Sequence, residues 1–353
     1  MLSAMIHAAR DVRAENRPDP VLRTEHDAVL RVVAACVCGS DLWPYRGVAK
    51  TREPHPIGHE LVGVVEEVGA AVTSAAPGDF VVVPFSLSCG ECQSCRAGFP
   101  SACDRVTGFG STDRDGHPVD GAQSERVRIP LAQHSLFPVG RSEAELEEAG
   151  LVPHLLTLAD VMSTGHHAAV SAGVGPGDTV AVVGDGAVGL CGVVAARRLG
   201  AERVVAFSRH PDRAALAREL GADDVIAERG DEGVAALRDL LGGDLADAAL
   251  ECVGTEQSME QALGSVRGGG RVGFVGVPHG GSQVPIRTLF GRNITVGGGM
   301  APARAHMADL LDDVLSGAIT PGRVFDVEMP LADVAEAYAA MDERRATKVL
   351  LRP

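Results

Sequence analysis

The chain has 353 residues, of which 45% are hydrophobic and 22% charged, and its formal net charge is −15. That length exceeds one ordinary core and predicts two domains. The acidic balance, with no block of clustered Lys and Arg, excludes a protein built to grip phosphate backbones, so no nucleic-acid partner is expected. The opening MLSAMIHAARDVRAE lacks the basic start and apolar stretch of a signal peptide. No run of about 18 uncharged apolar residues occurs, so no membrane partner is expected and the expected location is cytoplasmic.

From about residue 28 to 140 the chain is rich in Val, Gly and Pro. Its short apolar runs AVLRVVAAC, ELVGVVEEVG and DFVVVPF read as strands separated by turns, which predicts a β-rich first part. From about 176 to 298, Val-rich runs (TVAVVGDG, RVVAFS, ADDVIA, ADAALECVG, GRVGFVGVP) alternate with Ala-rich helical stretches (GLCGVVAARRLG, PDRAALARELGA, GVAALRDLLGG, TEQSMEQALGSV). This rhythm predicts a parallel, doubly wound sheet. From about 299 two helical stretches, ARAHMADLLDDVLSG and LADVAEAYAAMDE, precede a final strand-like KVLLRP.

Four of the eight cysteines, Cys89, Cys92, Cys95 and Cys103, stand in the pattern C-x2-C-x2-C-x7-C. Short spacers let a loop wrap a tetrahedral ion, and four thiolates leave no open position, so the spacing predicts a structural zinc. An iron–sulfur cluster uses the same ligand number, but nothing else in the chain calls for electron transfer. Upstream stand Cys38-Gly39-Ser40-Asp41 and Gly58-His59-Glu60, and downstream Asp160 lies within LLTLADVMSTG, read as an apolar helix. Alone, Cys38 and His59 read as core residues, whereas a carboxylate in an apolar helix needs a partner or a metal. Together they offer a thiolate, an imidazole and a carboxylate, a three-ligand set that leaves a fourth position open. Gly184-Asp185-Gly186-Ala187-Val188-Gly189 is a G-x-G-x-x-G loop between an apparent strand and helix, the context in which backbone amides receive a pyrophosphate. The next strand ends at Ser208-Arg209, without the acid that usually accepts from a ribose 2′-hydroxyl. Arg209 and Arg213 can instead face a 2′-phosphate, which predicts NADP(H) over NAD(H).

CGSD, GHE, the four-cysteine lobe, D-x-x-x-T-G and the glycine loop, in this order, resemble the zinc-dependent medium-chain alcohol dehydrogenases from about residue 25 to the C-terminus. The resemblance implies an α/β fold with a GroES-like β-rich catalytic domain (1–160 and 299–353, with two zinc sites) and a Rossmann domain (161–298), the active site lying in the cleft between them. It implies Cys38, His59 and Asp160 as catalytic zinc ligands, although many members have Cys at the third position. Glu60 resembles a carboxylate that approaches the zinc during ligand exchange, or one that orients a ligand. Ser40 is expected to relay the substrate proton. Members commonly carry His five residues after the ligand Cys; here Trp43 stands there, so it is expected to wall the substrate pocket while the proton leaves by another route. The resemblance also places Thr164, Gly184, Gly186, Val188, Gly189, Val253, Gly254, Gly276 and Val277 at the cofactor, and Lys348 at its pyrophosphate. The expected activity is hydride transfer between a small alcohol, aldehyde or ketone and NADP(H), by a homodimer or homotetramer. Alternatives are an NAD-dependent formaldehyde or polyol dehydrogenase, and a catalytically silent NADP(H)-binding protein. Pocket loops are expected around residues 43–55, 108–121 and 290–306.

Overall fold

The computed structural model describes residues 1–51, 53–278 and 285–353; residue 52 of the 43–55 loop lies outside them. The chain divides into two compact units, Met1–Asp160 with Pro302–Pro353, and Val161–Ala301. Among the described residues no helix is long and apolar enough to cross a membrane.

In the first unit a seven-stranded sheet runs in the order Phe137–Pro138, Phe80–Val83, Leu61–Val68, Ala28–Cys36, Val349–Arg352 and Val327–Pro330, with Arg126–Ile129 also paired to Ala28–Cys36. The β-branched runs read from sequence form these central strands, and their alternate residues fill one core of Leu30, Val32, Leu61, Val81, Val83 and Val127. Leu2–Ala8 and Asp11–Asn16, which carry too few β-branched residues to stand out in sequence, pair as a hairpin. The register places the site. Ala28–Cys36 and Leu61–Val68 run antiparallel with Ala35 opposite Leu61. Residues just past the end of the first and just before the start of the second therefore meet at one edge. The C-terminal strand pairs antiparallel to the same strand, Leu350 opposite Cys36, and so brings Lys348 to that edge.

The second unit is a six-stranded, all-parallel sheet in the order Asp224–Ile226, Arg203–Phe207, Thr179–Val183, Ala246–Glu251, Val266–Phe274, Thr295–Gly298. This is the doubly wound order, whose switch point lies between Thr179–Val183 and Ala246–Glu251 and carries the glycine loop. Its strands are buried on both faces, which is why they read as continuous apolar runs. The helix Val161–Ser171 lies against the helix Ala187–Arg198 at very short range. A Cβ on Gly165 would sit 2.6 Å from the backbone nitrogen of Gly192, so position 165 needs glycine for the two backbones to touch.

Candidate metal sites and cofactor loop

The antiparallel edge brings Cys38, His59 and Glu60 together, and Asp160 joins them: one ligand atom from each lies within 4.8 Å of the others. Asp160 does not sit inside a helix, as the apolar run predicts, but at the break between Val152–Leu158 and Val161–Ser171. Cys38 Sγ and His59 Nε2 each stand 3.5 Å from Asp160 Oδ2. A tetrahedral zinc with bonds of about 2.0–2.3 Å sets its ligand atoms about 3.3–3.8 Å apart, so the spacing fits that ion. Ser40 Oγ is 3.4 Å from His59 Nε2, on the ligand face of the imidazole.

Asp41 holds that imidazole in place. Its Oδ1 lies 3.1 Å from His59 Nδ1, while its Oδ2 accepts from Cys38 N at 2.9 Å and from Gln123 Nε2 at 3.1 Å. With Nδ1–H directed at a carboxylate, Nε2 keeps its lone pair for a metal. Gln123 in turn donates to the Cys36 carbonyl and accepts from Tyr338 Oη, so the network is anchored on the fully buried Tyr338 of the helix Val334–Asp342. Gly58, at φ +94°, passes directly over Gln123; a Cβ there would stand 2.4 Å from its Cγ.

The charges of the cluster also ask for a cation. Burial raises the Cys38 thiol above its ordinary range, and the Asp160 and Glu60 carboxylates raise it further. Burial alone would lower His59, but Asp41 and Cys38 outweigh it and hold the imidazole well above its usual value. Glu60 is wholly buried, and its Oε2 has no hydrogen-bond partner among the described residues. A divalent ion reconciles these negative donors with their burial.

Lys348 departs from its expected role at a pyrophosphate. Its ammonium is 1% exposed, donates to Glu60 Oε1 at 2.7 Å and faces the Val37 carbonyl at 3.3 Å, because strand pairing draws it inward to the Glu60 carboxylate. Trp43 lies half-buried on the short helix Leu42–Tyr45, its carbonyl accepting from Val48 and Ala49.

Cys89, Cys92, Cys95 and Cys103 form the second cluster. Cys103 Sγ lies 3.5 Å from Cys89 Sγ and accepts backbone N–H bonds from Cys89 and Arg105. Backbone N–H groups of Cys95 and Asp104 draw the Cys92 thiol down to about 6, while burial and Cys92 push Cys95 up to about 12. Four adjacent thiols ionise together only around a cation, and the donor set fits a closed zinc site.

In the second unit Gly184, at φ +123°, turns the chain from Thr179–Val183 into the helix Ala187–Arg198, whose N-cap is Gly186. No side chain caps that helix, a Cβ on Gly186 would meet nothing within 4 Å, and one on Gly189 would lie 1.9 Å from the Gly184 carbonyl oxygen. This is an open backbone cradle of the kind that receives a pyrophosphate, and it fits a dinucleotide. Val188 is half-buried in the first turn of that helix, and Thr164 is buried on the helix Val161–Ser171.

The loops expected at the cofactor are organised by a residue the sequence reading missed. Glu251 is 1% exposed and accepts from Val253 N, Gly254 N (both 2.8 Å) and Ser258 Oγ (2.7 Å). The N–H groups of Val253 and Gly254 are thus directed inward, while the Val253 side chain is exposed. Gly276 packs directly on Gly254, and Val277 beside it is exposed.

Ser208 also departs from expectation. It is buried, and its Oγ donates at 2.9 Å to Asp185 Oδ2, inside the glycine loop, instead of standing ready for a 2′-phosphate. Arg213 Nη1 approaches the other Asp185 oxygen at 3.4 Å, while Arg209 is exposed. Asp41 and Asp185 were both inside motifs quoted from sequence, but only packing shows what their carboxylates touch.

Residues 24–140 match the family model of the alcohol dehydrogenase GroES-like domain, and residues 187–316 that of the zinc-binding dehydrogenases. The zinc-type alcohol dehydrogenase B of Aspergillus flavus is 32% identical, the match covering all of this chain and 81% of that protein. The formaldehyde dismutase of Pseudomonas putida is 30% identical over 99% of this chain and 97% of its own length. Among solved structures, alcohol dehydrogenase TADH from Thermus sp. ATN1 superposes with a TM-score of 0.90 at 32% identity, covering 100% of this chain and 99% of that one.

Proposed function

The chain belongs to the zinc-type medium-chain alcohol dehydrogenases, and from that premise we propose an NADP(H)-linked enzyme that interconverts a small alcohol with its aldehyde or ketone. The observation that carries the reading is the convergence of Cys38, His59 and Asp160 at one sheet edge, three donors of three chemical kinds with Ser40 at their face. Zinc bound there supplies Lewis acidity to a substrate oxygen, and a bound nicotinamide dinucleotide takes up or returns hydride. The protein's own part is positional. Asp41 fixes the His59 tautomer, and Ser40 takes the proton from the substrate hydroxyl or returns it. Glu60, tied to Lys348, stands behind the ligands with one oxygen to spare. Cys89, Cys92, Cys95 and Cys103 hold a second zinc that braces the loop they share.

We assign both zinc sites to residues 1–160 with the C-terminal segment from 299, and the dinucleotide to residues 161–298. Gly184, Gly186, Val188 and Gly189 receive its pyrophosphate, and Thr164, Val253, Gly254, Gly276 and Val277 its nicotinamide end. Preference for NADP(H) rests on Ser208 in place of an acid and on the two cations Arg209 and Arg213. Trp43 lines the substrate pocket. None of the eight cysteines is joined in a disulfide, which suits the reducing cytoplasm. The edge strand Thr295–Gly298, beside the exposed Ile286 and Phe290, suits a homo-oligomer.

A second reading, an NAD-linked formaldehyde-type dehydrogenase, is favoured by the Asp185 carboxylate at the end of the Arg203–Phe207 strand and by the likeness to the Pseudomonas putida dismutase. The test is oxidation of NADPH against NADH over a panel of aldehydes including formaldehyde, with and without a strong zinc chelator. Chelator-sensitive turnover favouring NADPH supports the first reading. NADH preference with formaldehyde turnover supports the second. Absence of turnover with zinc bound removes both.

A further inference from the structure

The strand Arg203–Phe207 ends without an acid, yet a carboxylate stands at that end all the same. Asp185, the second residue of the glycine loop, projects its side chain there. Its Oδ2 accepts from Ser208 Oγ at 2.9 Å, its Oδ1 lies 3.4 Å from Arg213 Nη1, and its side chain is only 12% exposed. Ser208 is buried, and its hydroxyl donates to this carboxylate, with the His210 carbonyl a more distant acceptor at 3.5 Å. Arg213, the better buried of the two cations expected to meet a 2′-phosphate, is half of an ion pair.

We infer that Asp185 is a specificity-determining residue that limits the preference for a 2′-phosphorylated dinucleotide and retains the ability to bind the unphosphorylated one. The inference rests on the dinucleotide reading of the loop Gly184–Gly189 given above. The physical argument is short. A 2′-phosphate carries up to about two negative charges at neutral pH. Brought to Ser208 it meets a fixed carboxylate that is anchored by two partners and cannot swing away, and it must compete with that carboxylate for Arg213. A 2′-hydroxyl finds in the same carboxylate a hydrogen-bond acceptor, the service that an acid at the strand end otherwise performs. The loop has thus moved the acceptor from the end of one strand to the turn after its neighbour. Discrimination then depends on how far Arg213 neutralises Asp185.

Replacing the carboxylate by an amide of the same shape removes the repulsion and frees Arg213, while Ser208 keeps an acceptor. Binding of 2′,5′-ADP, 5′-AMP, NADPH and NADH is to be measured by titration calorimetry on the zinc-loaded full-length protein and on Asp185→Asn, without turnover. The expected result is that Asp185→Asn binds 2′,5′-ADP and NADPH roughly tenfold more tightly, the size expected for removing one like charge at close range, and binds NADH more weakly. Asp185→Ser, which also keeps a hydroxyl for Ser208, shifts the NADPH-to-NADH ratio the same way and serves if the amide fails to fold. A ratio that does not move, or that moves toward NADH, overturns the inference and leaves Asp185 as a structural tie. A parent protein that binds NADH more tightly than NADPH refutes the proposed cofactor preference; the role of Asp185 is judged separately, by the change in ratio.

Discussion

Replacing Asp41 by Asn tests whether the tautomer of His59 governs the catalytic metal site. The carboxylate now receives three donors: Cys38 N and Gln123 Nε2 on one oxygen, and His59 Nδ1 on the other. An amide cannot satisfy all three. With its oxygen toward His59, its NH2 faces the Cys38 and Gln123 donors, and two buried N–H groups lose their acceptor, at about 1–3 kcal/mol each. With its NH2 toward His59, the imidazole must accept at Nδ1 and carry its proton on Nε2, the nitrogen that faces Cys38 and Asp160. Gln123 cannot relieve the conflict by turning over, because it would then break its bonds to the Cys36 carbonyl and Tyr338. Outer partners of this kind are worth about 10–100-fold in metal affinity, or about 1.4–2.8 kcal/mol. The assay is zinc competition against a chromophoric chelator, following both sites. One zinc should leave Asp41→Asn about 10–100 times more readily, while the ion of the four-cysteine loop is unmoved and serves as an internal control. Equal retention of both ions, with folding intact, would refute the argument that Asp41 sets the ligand nitrogen.

Cys103→Ser should release the other zinc alone and lower the melting midpoint by roughly 3–4 °C, for a loss of about 2–3 kcal/mol; metal analysis with calorimetry decides it. Gly189→Ala places a Cβ 1.9 Å from the Gly184 carbonyl oxygen and must open the turn. Dinucleotide affinity should fall about 100-fold with the zinc content unchanged, and retained affinity would show that the loop does not bind the cofactor. His166 is buried, and burial, with Arg198 and His167, lowers its imidazole from 6.5 to about 4. Between pH 6.5 and 4 the unfolded chain therefore binds the extra proton, so stability falls with acidification by up to about 3 kcal/mol. Denaturant melts at successive pH values should show this slope in the parent and a flatter one in His166→Gln; equal slopes would exclude His166 as its source.

Much of this protein was legible before any coordinates. The β-branched runs named the central strands of both units, because strands buried on both faces must be apolar along their whole length. The cysteine spacing named a metal loop, because four thiolates so close in sequence can reach one ion whatever surrounds them. CGSD, GHE and the glycine loop were readable for the same reason: each is a local device whose ligand or turn is built within a few residues. What escaped was whatever depends on two distant segments meeting. Asp160, more than 100 residues from Cys38, was named as a ligand only through the family resemblance, and its place in the turn between two helices is not marked by hydrophobic periodicity. Lys348 looked like a basic residue for a phosphate, until strand pairing at Cys36 turned it inward onto Glu60. Asp185 drew no reading of its own between its two glycines, and only parallel pairing of Thr179–Val183 with Arg203–Phe207 set its carboxylate against Ser208. Local sequence fixes which groups can ionise, turn or ligate; the partner each group meets is set by register, because only long-range pairing decides which charges share a buried space.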